Sequence, residues 1–220
     1  MRFDGILFDF DGVLLESEYA GNQHLAETLT SLGHPVTTAE SMAHFMGLSG
    51  QDFLDAITAR IGHPIPAGFA EIRAVEDKRA MIEGIDAVAG AIAFVRGLPP
   101  SLPRAIASSS STAWIERQLE HMGIRDAFGA HIFSGREHVA RGKPAPDVYL
   151  HAAKAIGIDI ARTVILEDSP VGVTGAVASG ATVIGLVAGQ HCAPDHGDRL
   201  RALGVQAIAR DFGEVARLIA

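Results

Sequence analysis

The sequence predicts an α/β fold: a doubly wound parallel sheet with an all-helical domain inserted after its first strand. Three observations point there. Short apolar runs alternate with amphipathic helical patterns through the last two thirds of the chain. The first run, Phe3-Asp4-Gly5-Ile6-Leu7-Phe8, is short and largely apolar, as a strand buried on both faces should be. The stretch from Ser17 to Ala87 carries helical spacing and no convincing strand.

Taken in order, the first strand stops abruptly at Asp9-Phe10-Asp11-Gly12. Leu25, Leu29 and Leu32 then share one helix face until Gly33 and Pro35 end it. Further helical patterns cover Ala39–Phe45, Gln51–Ile61 and Phe69–Ile82. The Pro99-Pro100 and Pro103 cluster reads as a surface connection into a second strand, Arg104–Ala107. Later strands are expected at His131–Phe133, Thr163–Leu166, Thr182–Leu186 and Val205–Ile208. Ile115, Leu119 and Met122 mark the buried face of one intervening helix, and Val148, Ala152 and Ile156 that of another. The expected domains are residues 1–16 with 88–220 as an α/β core, and 17–87 as a helical insert.

Composition narrows the function classes. A chain of 220 residues, 48% hydrophobic and 20% charged, can bury a sizeable core. A net charge of −8 argues against nucleic acid or an anionic membrane surface as partner. One cysteine, Cys192, allows no internal disulfide and suggests a reducing compartment. Asp9, Asp11 and Glu16 interrupt the early apolar run, so no secretory signal is expected. No stretch approaches the roughly 20 apolar residues of a membrane span. The cytoplasm is the expected location.

The residues that suggest chemistry sit at strand ends, where open parallel sheets bind ligands. Asp9 and Asp11 follow the first strand, Ser108 the second and Glu167-Asp168 a later one, with Lys143 in Gly142-Lys143-Pro144. Carboxylates gathered this way repel unless they share a cation, and oxygen ligands suit Mg²⁺. That ion, with Lys143 as a fixed point charge, would bring a phosphorylated metabolite to an acidic protein. Asp9 is then the expected nucleophile, forming an aspartyl phosphate, and Asp11 the general acid and base. Ser108 can donate its hydroxyl to a phosphate, with Ser109 a rival one residue on. The backbone N–H groups of Ser109 and Ser110 could contact phosphate oxygens at the next helix start.

Asp9-Phe10-Asp11-Gly12-Val13-Leu14 resembles the first motif of the haloacid dehalogenase-like superfamily. Ser108 matches its second motif, Lys143 its third and Glu167-Asp168 its acidic fourth, so the resemblance spans nearly the whole chain. The helical insert, with Gly47-Leu48-Ser49, resembles the cap of the β-phosphoglucomutase-like and sugar-phosphatase branch. The resemblance implies a Rossmann-like core and Mg²⁺ held by Asp9, the Asp11 carbonyl and Asp168, with Glu167 at or near the second shell. It also implies substrate contacts from the cap, among which Ser17, Asn22, Gly47 and Ser49 are candidates. Two departures favour hydrolysis over phosphate transfer within a sugar. Gly21 stands where mutases of this branch carry a histidine, and Met46 and Gly50 flank the cap motif without a basic side chain. The expected reaction is hydrolysis of a sugar phosphate or sugar-acid phosphate, with a mutase as the nearest alternative.

Blander readings compete with each motif. Asp-x-Asp-Gly alone could begin a calcium loop, but Val13 and Leu15 are not ligands. A phospho-accepting signalling receiver also uses acids and a lysine, yet has no helical insert after the acidic strand. A dehalogenase of the family would lack Asp11. His191, Cys192 and His196 fit no standard zinc spacing and are expected in a loop near the site mouth. Trp114 is expected to serve packing. Pro144 and Asp147 suit a turn and a helix start, and Ser169 a helix cap.

Overall fold

A computed structural model describes residues 3–46, 48 and 50–220. The chain divides into two compact units, Met1–Glu16 with Asp86–Ala220, and Ser17–Ile85.

The larger unit is built on a parallel sheet that has six strands among the described residues: β1 (Gly5–Phe8), β2 (Arg104–Ser108), β3 (Ile132–Ser134), β4 (Thr163–Glu167), β5 (Thr182–Leu186) and β6 (Ala207–Ala209). Their spatial order is β3-β2-β1-β4-β5-β6. The chain therefore builds outward from β1 in one direction, then crosses back and builds outward in the other. β1 lies at the reversal between β2 and β4, where the connections leaving neighbouring strands diverge and open a crevice. Every residue of β1, β2 and β4 is buried, which explains why these strands are apolar without alternation.

Helices cover both faces. On one, Leu7, Ala105, Ala107, Ile165 and Val183 pack against Tyr149 and Ala152 of α7 (Asp147–Ala155), Val173 and Ala176 of α8 (Pro170–Ala178) and Leu200 of α9 (His196–Ala202). Phe8, one residue beyond Leu7, points to the other face. There it meets Phe94 of α5 (Ala91–Gly97) edge-on, with centroids 6.2 Å apart, and Phe94 contacts Phe212 of α10 (Phe212–Ile219) at 5.0 Å. The connection from α5 into β2 is tied down by the buried Arg104, whose guanidinium donates to the carbonyls of Val95, Pro99 and Leu102.

Strand bounds differ slightly from expectation: β1 begins at Gly5 rather than Phe3, β2 and β4 run one residue further, to Ser108 and Glu167, and β3 and β6 are displaced toward the C-terminus. β3 extends through Ser134 because that residue pairs with Ser108. β6 begins at Ala207 rather than Val205, since Val205 packs as a partly buried side chain and Gln206 uses its amide oxygen to accept from the Val183 N–H. Boundary shifts of this size follow from local hydrogen bonding that periodicity does not encode.

The second unit contains α1 (Ser17–Ser31), α2 (Thr38–Phe45), α3 (Gly50–Ile61) and α4 (Phe69–Glu83). Leu25, Ala26, Leu29, Val36, Phe45, Ile57 and Phe69 form its core. A reciprocal cap starts α2: Thr37 accepts from the Glu40 N–H, and Glu40 accepts from the Thr37 N–H. Among the described residues, no helix of either unit is long and apolar enough to cross a membrane.

Candidate active site

The register of the sheet assembles the site. Phe8 pairs with Ile106 on one side and Leu166 on the other, so the ends of β2 and β4 flank the end of β1. The Asp9 N–H still donates to the Leu166 carbonyl at 3.0 Å, which holds its backbone in the ladder while its side chain stands at the edge. Beyond Asp9 the chain folds into a tight turn, with the Gly12 N–H donating to Leu15 and the Leu14 N–H to Phe10. Phe10, Val13, Leu14 and Leu15 are fully buried, so the turn is anchored by its apolar side chains. Gly12 has φ +80°, and a Cβ there would overlap Asp168 Oδ2. Only glycine brings the turn this close to the end of β4.

One cluster of charges is centred on Lys143. Its ammonium donates to Asp9 Oδ1 at 2.6 Å and to Glu167 Oε1 at 2.7 Å, with all three side chains buried. Burial alone would lower the lysine pKa, but Asp9 and Glu167 outweigh it and hold the ammonium charged. Glu167 is densely bonded. The Tyr149 hydroxyl donates to Oε1 at 2.7 Å, while Oε2 accepts from the N–H groups of Asp168 and Ser169 and from the Ser169 hydroxyl. Ser169 in turn caps α8 by accepting from the Gly172 N–H, as expected of it. Asp168 is 2% exposed, and a ligand oxygen from each of Asp9, Glu167 and Asp168 falls within 4.8 Å of the others.

Three buried carboxylates facing one ammonium leave the cluster electrostatically incomplete. Burial, and then the nearby Glu167, push the Asp9 carboxyl well above the usual range, against the opposing pull of Lys143. A donor set of oxygens alone, with excess negative charge, fits a hard divalent cation. Asp9 and Asp168 are the members suited to ligate it, because the five hydrogen bonds on Glu167 make that side chain the anchor of Lys143.

A second cluster surrounds Asp11. The Ser110 hydroxyl donates to Oδ2 at 2.6 Å, and the Ser108 hydroxyl lies 3.4 Å from the same oxygen. The Trp114 indole N–H donates to Oδ1 at 3.2 Å. Trp114 lies in the first turn of α6 (Thr112–His121), whose cap Ser111 accepts from its backbone N–H. The tryptophan expected to serve packing thus reaches an acidic side chain of the site. Ser108 is buried and Ser109 exposed. The Ser110 N–H, expected to face a phosphate, instead donates to Ser108 Oγ at 2.9 Å.

Asp9, Asp11, Ser108, Lys143, Glu167 and Asp168, drawn from distant parts of the sequence, therefore meet along one edge of the sheet. Asn22 is buried, with its amide donating to the Glu18 carbonyl and accepting from the Ser41 hydroxyl at 2.9 Å, so it serves the helical unit's interior. Ser17 begins α1. Gly47 and Ser49 lie outside the described residues.

Sequence reasoning gave no site role to Trp114, the Ser110 hydroxyl or Tyr149. Only Tyr149 left a signal, for it falls beside Val148 on the buried face of α7. His191 and His196, expected near the site mouth, are buried beside Asp168: His191 Nε2 lies 2.8 Å from its Oδ2, and His196 Nε2 lies 2.6 Å from its carbonyl oxygen.

Comparison with known proteins agrees with this arrangement. A family profile described as haloacid dehalogenase-like hydrolase matches residues 6–186. Hexitol phosphatase A of Escherichia coli K12 is 32% identical over 195 residues, covering 84% of this chain and 83% of that protein. The 6-phosphogluconate phosphatase of the same organism is 23% identical over 194 residues, covering 88% and 86%. Among solved structures, an HAD family hydrolase of Deinococcus radiodurans R1 with bound phosphate and sodium superposes with a TM-score of 0.89. It is 33% identical and covers 99% of this chain and 95% of that one.

Proposed function

This chain belongs to the haloacid dehalogenase-like hydrolase family, and from that premise we propose that it hydrolyses a sugar phosphate or sugar-acid phosphate through an aspartyl-phosphate intermediate. It is a phosphoric monoester hydrolase. Relatives named hexitol phosphatase, 6-phosphogluconate phosphatase and fructose-1-phosphate phosphatase support the substrate class. The observation that carries the reading is the Lys143 ammonium, 2.6 Å from Asp9 and 2.7 Å from Glu167, beside a third buried acid, Asp168.

In the proposed reaction an Asp9 carboxylate oxygen attacks phosphorus in line with the ester oxygen. The new Asp9–phosphorus bond forms as the ester bond breaks. The departing alkoxide takes a proton from Asp11 and leaves as an alcohol. Asp11, now ionised, accepts a proton from water as that water attacks the phosphoenzyme. Inorganic phosphate departs and the Asp9 carboxylate is restored. Trp114 and Ser110 hold Asp11 through this cycle, and the Ser110 hydroxyl can donate to the ionised form or accept from the protonated one. Lys143 neutralises charge on the transferring group from a fixed position, while Glu167 keeps the lysine in place.

The metal we assign is Mg²⁺, held by Asp9 and Asp168 with the Asp11 carbonyl. When bound it would supply charge neutralisation for the phosphate oxygens.

The test is phosphate release by the purified protein, with Mg²⁺, from a panel containing hexitol phosphates, fructose 1-phosphate and 6-phosphogluconate. Asp9→Asn should abolish turnover. Substantial hydrolysis by that variant would refute the assigned nucleophile, and isomerisation without phosphate release would point to a mutase.

A further inference from the structure

We infer that His191 is a positioning residue: it fixes the orientation of the Asp168 carboxylate and so sets the enzyme's affinity for its divalent cation. This rests on the proposed reading of Asp168 as a metal ligand.

The topology supplies the proximity. β5 lies beside β4, with Gly185 opposite Glu167, so the chain leaving β5 emerges next to Asp168. That segment is fastened at two places. The Gln190 N–H donates to the buried Glu16 carboxylate, at 3.0 Å to Oε2, and the Cys192 N–H closes a turn onto the Gly189 carbonyl at 3.0 Å. His191, between these ties, is 5% exposed and places Nε2 2.8 Å from Asp168 Oδ2.

The ring occupies a slot bounded by two glycines. A Cβ on Gly189 would stand 2.5 Å from His191 Cε1 and 2.6 Å from Nδ1, and one on Gly12 would stand 3.0 Å from Cε1. All three distances lie below ordinary van der Waals contact, so side chains at these positions would displace the ring. His196, at the start of α9, completes the arrangement with Nε2 2.6 Å from the Asp168 carbonyl oxygen. Side chain and main chain of one aspartate are thus each held by a buried histidine.

A carboxylate that ligates a metal gains from such a partner. The hydrogen bond to one oxygen restricts rotation about the Cβ–Cγ bond, so less orientational freedom is lost when the cation arrives. Loss of an outer partner of this kind typically weakens metal binding by about 10- to 100-fold. His191, Cys192 and His196 also cluster closely enough to suggest a separate soft-metal site. His191 Nε2 lies 3.4 Å from Cys192 Sγ but only 2.8 Å from Asp168 Oδ2, and His196 Nε2 lies 2.6 Å from the Asp168 carbonyl oxygen, so both rings are directed at Asp168.

Two variants of matched chemistry separate positioning from bulk. His191→Gln keeps an amide N–H near the place of Nε2, whereas in His191→Asn the amide is one methylene too short. Mg²⁺ binding to the substrate-free protein is measured by calorimetry, alongside kcat and the Mg²⁺ activation constant. The Asn variant should bind Mg²⁺ about 10- to 100-fold more weakly and the Gln variant within about threefold of wild type. The activation constant should follow, with kcat recovering at saturating Mg²⁺. Gly189→Ala, whose Cβ would meet the ring first and the Gly12 carbonyl oxygen only at 3.2 Å, should weaken Mg²⁺ binding in the same direction and covers the case of an Asn variant that fails to fold. Wild-type Mg²⁺ affinity in a folded Asn variant, or in Gly189→Ala, would overturn the inference while leaving the proposed function intact. Failure of the wild type to bind Mg²⁺ would overturn both.

Discussion

The indole N–H of Trp114 meets Asp11 Oδ1 at 3.2 Å across 103 residues of sequence. With Ser110 bonded to Oδ2 at 2.6 Å, the Asp11 carboxylate is gripped at both oxygens by the loop and helix that follow β2. An acid that must deliver a proton to one leaving oxygen profits from such restraint, since misplacement by an ångström is costly. Trp114→Phe keeps the ring and removes the donor. It should lower kcat by about tenfold, with a smaller change in KM and a shifted limb in the pH profile. An unaltered kcat and pH profile would mean the indole only packs.

Lys143 connects two acids that otherwise face each other. Lys143→Met should cost about 10²- to 10³-fold in kcat through loss of the fixed charge. It should also lower the melting temperature of the metal-free protein, because Asp9 and Glu167 lose their shared partner. Mg²⁺ should restore more of the melting temperature in the variant than it adds to wild type. A metal-free variant as stable as wild type would contradict the electrostatic account.

Asp9 sets a pH dependence with a definite sign. Burial raises its folded-state pKa above the ordinary value of 3.8, so folding favours the protonated form. The corresponding stability is fully present below that ordinary value and is lost as pH rises through the folded one. Metal-free wild type should therefore lose stability relative to Asp9→Asn from about pH 4 upward, with the difference levelling off above the folded pKa. Denaturant unfolding of both proteins at stepped pH measures this directly. A constant difference across the range would show that the asparagine changes something other than this titration.

Cys192 should be chemically quiet in the native protein. Burial, and then the charge of Asp168, push its thiol pKa from 9.0 up to about 12. At pH 8 a thiol-specific reagent should react at least about tenfold more slowly with folded protein than with protein in denaturant. Equal rates would place the thiol in open solvent.

The residues that meet at the candidate site stood out from local chemistry at each strand end. The acids of Asp9-Phe10-Asp11 and Glu167-Asp168, together with Lys143, stand out because charged groups after buried apolar runs have few structural reasons to be there. The helices were equally plain, since Leu25 and Leu29 or Ile115 and Leu119 repeat on one face and are buried there. Asn22 misled because an amide on a helix can turn to a ligand or to a neighbouring helix, and here the Ser41 hydroxyl bonds it.

The sequence by itself determined the α/β class, the helical insert and the identity of the groups at the strand ends, because periodicity and residue chemistry are local properties. Only the tertiary structure decided that Glu167 anchors a lysine, that Trp114 restrains Asp11 and that His191 lies against Asp168. Those pairings depend on which strands are neighbours and in what register. A parallel sheet sets both through contacts between segments far apart in the chain, which no window of sequence contains.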